Sequence, residues 1–382
     1  MPSETQSPPT TRKTALNALH REMGAKMVDF SGWDMPVEYP KYGGLMREHL
    51  AVRTGVGVFD VSHMGDIRLH GPKALDAVQH ITMNDASRLE VGQCQYSAML
   101  YPEGTFVDDV IVHRLGTNDY LLVINAGTRE KDVSWVVDNT RQFDCAVEHL
   151  SDAYTQIAIQ GPKGAATLRK LTDADLSKVK FYWFTHGTVC GLSDTLIART
   201  GYTAEDGFEI YVSSDAATSV RVWNEVIKAG EEFGIVPCGL GARNTLRLEG
   251  ALSLYGHEIS ESISVWEARL DRFLKMDKGD FIGRDALDKG QSTGIKRTLV
   301  GLESLERGIP RDNYQVLDTG GKQIGYVTSG SYAPFLKKNI ALAYVPCEFA
   351  ALDNVVAVEI RSQPVKCKVV PIPFYKRPKK QS

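Results

Sequence analysis

Apolar positions fall into three successive patterns along the chain. In residues 14–23, Leu16, Leu19 and Met23 recur at helical spacing on one face, and Gly24 ends the run. The stretch SGWDMPVEYPKYGG is broken by Gly and Pro and reads as irregular, before a second helix over residues 45–53 that ends near Gly55. Then a unit repeats. IRLHGPKALDAVQHI and IAIQGPKGAATLRKL both read strand, Gly-Pro-Lys, helix, with Gly71 and Gly161 90 positions apart, and DYLLVINAGTREKDVSWVV is echoed by GFEIYVSSDAATSVRVWNEV at an offset of 88. Two matches at nearly one offset indicate an internal duplication, residues 60–150 and 150–240, each half mixing antiparallel strands with helices. A pocket between two such halves is a natural ligand site. From residue 296 the pattern changes to short β-rich runs, RTLVGLES, YQVLDTGGKQIGYVTSG, NIALAYVP, VVAVEIR and KCKVVPIPF, which predict a small barrel or sandwich. The charged, Gly-rich segment MDKGDFIGRDALDKGQSTG before it has the composition of a boundary.

One strand-like run departs from its surroundings. FVDDVIVHR carries adjacent carboxylates, and alternation puts Val107, Asp109 and Ile111 on one face and Asp108, Val110 and Val112 on the other. Whichever face is buried takes a carboxylate with it, at a cost unless that group is hydrogen-bonded or used. The plainer reading is one Asp capping a turn and one in solvent.

Composition narrows the function. The 382 residues allow two or three domains, and 43% hydrophobic with 24% charged residues is ordinary for a globular protein. A net charge of −3 speaks against a general nucleic-acid binder, and the basic tail at 376–380 reads as a solvated terminus. Six scattered cysteines without a CxxC pair signal neither zinc nor a redox pair, and predict buried free thiols in a reducing compartment. No signal-type apolar segment follows the polar N-terminus and no run is long enough to span a membrane, so the expectation is a cytoplasmic protein.

The candidate chemistry is acidic and basic rather than nucleophilic. GLGARNTLRLEG reads as a glycine-opened helix with Arg243 and Arg247 four apart. It is no dinucleotide loop, since Asn244 stands where a third glycine is needed; its arginines bind a ligand or form ion pairs. In GYTAEDGFEIYV the acidic turn reads as a solvated hairpin loop, whereas Glu209 opposes Phe208 and Ile210 and faces either solvent or a pocket. There is no GxSxG elbow, no HExxH and no Cys beside a recognisable base, and His63 and His257 read as structural histidines. Such a set suits binding and polarising a nitrogen-rich organic ligand.

The segments DFSGWDMPVEY, GVFDVSHMG, FVDDVIV, YLLVINAGTREKD, IAIQGP, GYTAEDGFE, GLGARNTLRLEGALSLYGHEI, ERGIPR, IGYVTSG, LKKNIALAYVP and PFYKR, running in this order from about residue 14 to 377, resemble the aminomethyltransferase (T-protein) family of the glycine cleavage system. The resemblance implies an α+β fold: a duplicated ferredoxin-like folate-binding body with antiparallel sheets, plus a C-terminal β-barrel, around a central channel. It divides the chain into an N-terminal segment (1–60), two repeats (60–150 and 150–285) and the barrel (295–382). It implies transfer of a one-carbon unit from an aminomethylated lipoyl carrier, the H-protein, to tetrahydrofolate as co-substrate, with no metal, nucleic acid or membrane. By motif, Asp109 is the catalytic carboxylate, Glu209 and Arg243 contact the folate, and Met64, Tyr96, Asn125, Tyr202 and Tyr375 line its channel. Two places depart from the family pattern: Asn244 replaces an Asp, and SVWEARLDR replaces a Thr-Pro-x-Glu-Ala-Gly-Leu-Gly-Trp-like run. The second departure motivates an alternative, a tetrahydrofolate-dependent demethylase with a different N-methyl or S-methyl donor.

Overall fold

A computed structural model describes residues 11–378. The chain opens with α1 (Asn17–Glu22) and a hairpin of β1 (Lys26–Phe30) and β2 (Trp33–Glu38). The stretch expected to be irregular is thus partly strand, because Ser31 and Gly32, both at positive φ, form a two-residue turn that pairs Phe30 with Trp33. Helix α2 (Gly44–Thr54) and strand β3 (Gly57–Asp60) follow.

The duplication is explicit in the sheets. Strands β4 (Gly65–His70), β5 (Cys94–Leu100), β6 (Phe106–Gly116), β7 (Asp119–Ile124) and β8 (Ala146–His149), with helices α3 (Ala74–Ile81) and α4 (Arg129–Thr140), form a sheet of order β5-β6-β7-β4-β8. Strands β9 (Tyr154–Gln160), β10 (Phe184–Val189), β11 (Leu192–Ala198) and β12 (Gly207–Ser213), with helices α5 (Gly164–Leu168) and α6 (Ala216–Gly230), repeat it as β10-β11-β12-β9. Gly71 and Gly161 sit at φ +125° and +122°, the same left-handed turn from strand into helix in each repeat. The second sheet continues through β3 to β13 (Val236–Pro237), so β3, which precedes the first repeat in sequence, pairs antiparallel with β9 of the second.

Each sheet buries one face under its helices. In the first, Ile67, Leu69, Val110, Val112 and Leu122 pack on Ala77, Val78, Ile81 and Val136; in the second, Ile157, Ile159, Phe208 and Ile210 pack on Leu168, Val222, Trp223 and Val226. The opposite faces approach one another, where Cys94 and Val123 meet Phe184, Leu196 and Tyr211. After α7 (Leu240–Glu249) and α8 (Arg284–Thr293), strands β14 (Arg297–Ser304), β15 (Gln315–Leu317), β16 (Gln323–Ala333), β17 (Lys338–Pro346), β18 (Val355–Ile360) and β19 (Gln363–Val370) close a barrel in the order β14-β17-β16-β15-β18-β19. Val300, Leu302, Val316, Val327, Ala341 and Val358 lie in its core. Among the described residues no helix is long and apolar enough to cross a membrane. All six cysteines are free; Cys94, Cys238 and Cys367 are buried as expected of free thiols, but Cys347 is exposed because it sits in the turn after β17.

Candidate active site

The inward faces of the two sheets, the N-terminal half of α7 and the segment after it enclose a cavity of about 830 Å³. Alternation decides which side chains reach it. On β9, Ile157 and Ile159 go to the core, leaving Gln156, Ala158 and Gln160 on the cavity side; on β12, Phe208 and Ile210 go to the core, leaving Glu209 and Tyr211.

On β6 the alternation holds only beyond a bulge. The register against β5 shifts between Met99 and Leu100, opposite residues 106–108, so Val107 joins Val110 and Val112 in the helix-covered core instead of sharing a face with Asp109 and Ile111. Asp109 and Ile111 line the cavity. Asp108 is fully buried behind the wall and accepts from the Asn125 backbone N–H at 3.0 Å, the Asn125 Nδ2 at 2.8 Å and the Thr128 hydroxyl at 2.9 Å. Asn125 Nδ2 also donates to Asp109 Oδ1 at 2.7 Å, so one amide ties the two carboxylates together. Burial, then the neighbouring charge of Asp108, pushes Asp109 up to about 7. The buried Tyr96 hydroxyl, without a hydrogen-bond partner of ordinary geometry, lies beside it.

Glu209 stands on the facing sheet, one carboxylate oxygen taken by the Thr200 hydroxyl, and burial raises its proton affinity. Arg243 projects from the first turns of α7 with its guanidinium 4.4 Å from the Tyr202 ring centre. It has no carboxylate at ion-pair distance among the described residues, while Arg247, four residues on, is committed to Glu258 at 2.7 Å. The Tyr202 hydroxyl is held by the Ser253 carbonyl.

Asp109, Glu209, Arg243, Tyr96, Met64, Asn125 and Tyr202 therefore all line one cavity. Tyr375 does not; its ring lies 4.0 Å from the guanidinium carbon of Arg53, and it touches the site through Glu205, which lines the cavity. The turn expected to be a solvated loop is buried, because Arg53 pairs with Glu205 at 3.2 Å and Arg199 forks onto Asp206 at 2.8 and 2.6 Å. Asn244 accepts from Arg247 Nε at 2.8 Å. His257 is held by the Thr328 carbonyl at 2.9 Å; His63 is buried with both ring nitrogens unpartnered, and burial pushes it down to about 3. Sequence reasoning missed Gln156, Gln160 and Tyr211, which strand alternation could have supplied. It also missed Leu270, Arg272 and Phe273, which bring the departing segment into the cavity wall.

Residues 16–278 match the GCVT N-terminal domain, and residues 297–376 match the glycine cleavage T-protein C-terminal barrel domain. The chain belongs to the glycine cleavage T-protein family. An aminomethyltransferase of Koribacter versatilis is 77% identical over 97% of this chain and 98% of its own length, and one of Acidobacterium capsulatum is 68% identical over 99% and 100%. The crystal structure of glycine cleavage system aminomethyltransferase T from Bartonella henselae superposes with a TM-score of 0.89 at 32% identity, covering 96% of this chain and 98% of that one. With this family and these relatives, the chain is an aminomethyltransferase of the glycine cleavage system. A demethylase with another donor is not favoured.

Proposed function

We propose that the cavity takes tetrahydrofolate as acceptor, that the donor is an aminomethylated lipoyl H-protein, and that Asp109 is the catalytic group. In the overall change the carbon leaves the carrier sulfur and bridges two folate nitrogens, with release of ammonia and the dihydrolipoyl carrier. The observation carrying this reading is a carboxyl with affinity for a proton near neutrality, set in the cavity wall by Asn125 and faced by Glu209 and Arg243 across the space. A group titrating at about 7 can take a proton from an amine and return it within one cycle. Glu209, with one oxygen on Thr200, has its second oxygen for paired N–H donors of a pterin. Tyr96, Tyr182, Tyr202 and Phe273 supply ring faces for flat heterocycles, and Arg243, free of a protein carboxylate among the described residues, is suited to polar groups along the ligand. Tyr375 acts from behind the wall by holding Glu205 and Arg53. The free thiols fit a reducing compartment, and we assign the protein to the cytoplasm.

The test supplies aminomethylated H-protein and tetrahydrofolate and follows ammonia release. Wild-type protein releases ammonia only with both; Asp109→Asn loses ~10²-fold or more in turnover, the range of acid–base catalysis, while still binding tetrahydrofolate. Undiminished turnover in Asp109→Asn removes Asp109 from this role.

A further inference from the structure

We propose that Asp132 is a positioning residue for Asp109: a neutral carboxylic acid beneath the cavity wall that leaves the neighbouring charge to Asp108, and so keeps the Asn125 amide fixed on Asp109. The inference rests on the catalytic reading of Asp109. Asp132 stands in the first turns of α4, fully buried, and no donor lies within hydrogen-bonding geometry of either of its oxygens. Asp108, equally buried on β6, receives three donors on its two oxygens. Two adjacent carboxylates shielded from water cannot both carry charge, and the one with donors keeps it. The proton therefore belongs on Asp132, where the acid O–H can point toward Asp108.

The surrounding charges agree. From α4, Lys131 comes no closer to Asp132 than 3.8 Å, and its ammonium is spent on the Val107 carbonyl and, at 2.9 Å, on the Tyr255 hydroxyl. From β6 comes Asp108; Thr128 faces the pair from the turn before α4, and Tyr101 and Tyr255 lie within reach of the Asp132 charge, with Glu261 near both tyrosines. Burial first, then the charge of Asp108, pushes Asp132 up to about 10. Ionised Asp132 would set a second negative charge against Asp108, whose oxygens are the anchor for Asn125. The repulsion would loosen Asp108 from the Asn125 amide, and with it the tie from that amide to Asp109.

Full-length Asp132→Asn and Asp132→Ala are compared with wild type in thermal melting across roughly pH 5 to 9 and in the pH profile of ammonia release. Folding takes up a proton at Asp132, so wild-type stability falls as pH rises from about 4 toward 10. Asp132→Asn is free of that loss: it melts above wild type at about pH 8.5, and the gap narrows toward about pH 5. In Asp132→Ala the Asp108 carboxylate loses the O–H that the neutral acid offers it, Asn125 is less firmly held, and kcat falls ~10-fold with KM for tetrahydrofolate within ~2-fold; Asp132→Asn, which keeps a donor, restores it. A melting difference that is independent of pH, or an Asn variant less stable than wild type at high pH, refutes the neutral acid and points to an ion pair with Lys131. An Ala variant with the wild-type kcat refutes the positioning role. Where Asp132→Ala does not fold, the Asn melting curves decide alone. Loss of the Asp109 reading shows up separately, as active Asp109→Asn with the Asp132 melting result intact.

Discussion

Glu258→Ala tests how the body holds its barrel and its cavity wall at once. The Glu258 carboxylate takes Arg247 Nη1 at 2.7 Å, the Leu254 backbone N–H at 3.0 Å and, on its other oxygen, the Thr328 hydroxyl of β16 at 2.7 Å. Arg247 reaches the same strand through Ser329 at 2.7 Å, and both side chains are buried. Removing the carboxylate leaves a guanidinium without a counter-charge in a low-dielectric setting, a loss of ~3–5 kcal/mol for one partner of a buried pair. Glu258→Gln keeps the shape and one acceptor and loses less, about 1–3 kcal/mol. Urea unfolding at neutral pH reads both. Arg247 also donates to the Leu252 carbonyl, next to the Ser253 carbonyl that holds Tyr202, so KM for tetrahydrofolate rises along with the loss of stability. The pH dependence has a fixed sign: Glu258 has a lowered proton affinity because Arg247 and the hydroxyls outweigh burial, so its contribution is present above the ordinary glutamate range and disappears as pH falls through the lower folded value. A Glu258→Ala variant less than ~1 kcal/mol below wild type would falsify the idea that this pair braces the molecule.

Three further outcomes follow from the geometry. Turnover rises with pH through about 7 as Asp109 ionises, and stopped assays over that range show the limb in wild type and not in Asp109→Asn. Asp108→Asn strands one of the three donors that anchor the start of α4 and costs about 1–3 kcal/mol in denaturation, while saturated turnover falls less than in Asp109→Asn; the reverse order would exchange the roles of the two aspartates. Gly161→Ala destabilises more than Gly71→Ala, since an added Cβ meets backbone oxygens of Gly55 and Val52 at 2.6 and 2.7 Å, against 3.2 Å to the backbone at residues 144 and 145; equal melting shifts would contradict this.

The parts of the fold legible in the sequence were those written as period or as repetition. The strand–Gly-Pro-Lys–helix echo gave both sheets, and the alternation around Glu209 left it facing either solvent or the cavity, which the structure decides. What escaped depends on pairing between distant segments. The bulge opposite Leu100 moves Val107 to the other side of β6, and nothing in FVDDVIVHR announces it, because register is a property of two strands. The acidic turn before β12 looks solvated until Arg53, about 150 positions away, folds against it. Arg272 stood out in the sequence only as a departure from a family pattern, and its place in the cavity wall comes from the 3-10 turn Asp271–Phe273, which brings Arg272 and Phe273 to the lining. Between Asp108 and Asp109, alternation offered no choice; the resemblance chose, and the hydrogen bonds on Asp108 supply a physical reason.

Strand β3 has a consequence for how the molecule could be divided. A gene cut at the apparent seam between the repeats, near residue 150, would leave the second piece with β9 exposed along one edge and β13 without its parallel neighbour, while the first piece would carry β3 with nothing to pair to. The repeats are therefore laced together by a strand that leads into the first by sequence and pairs with the second by hydrogen bonds. Two halves of one topology thus form a single folding unit, and neither is self-sufficient after separation alone.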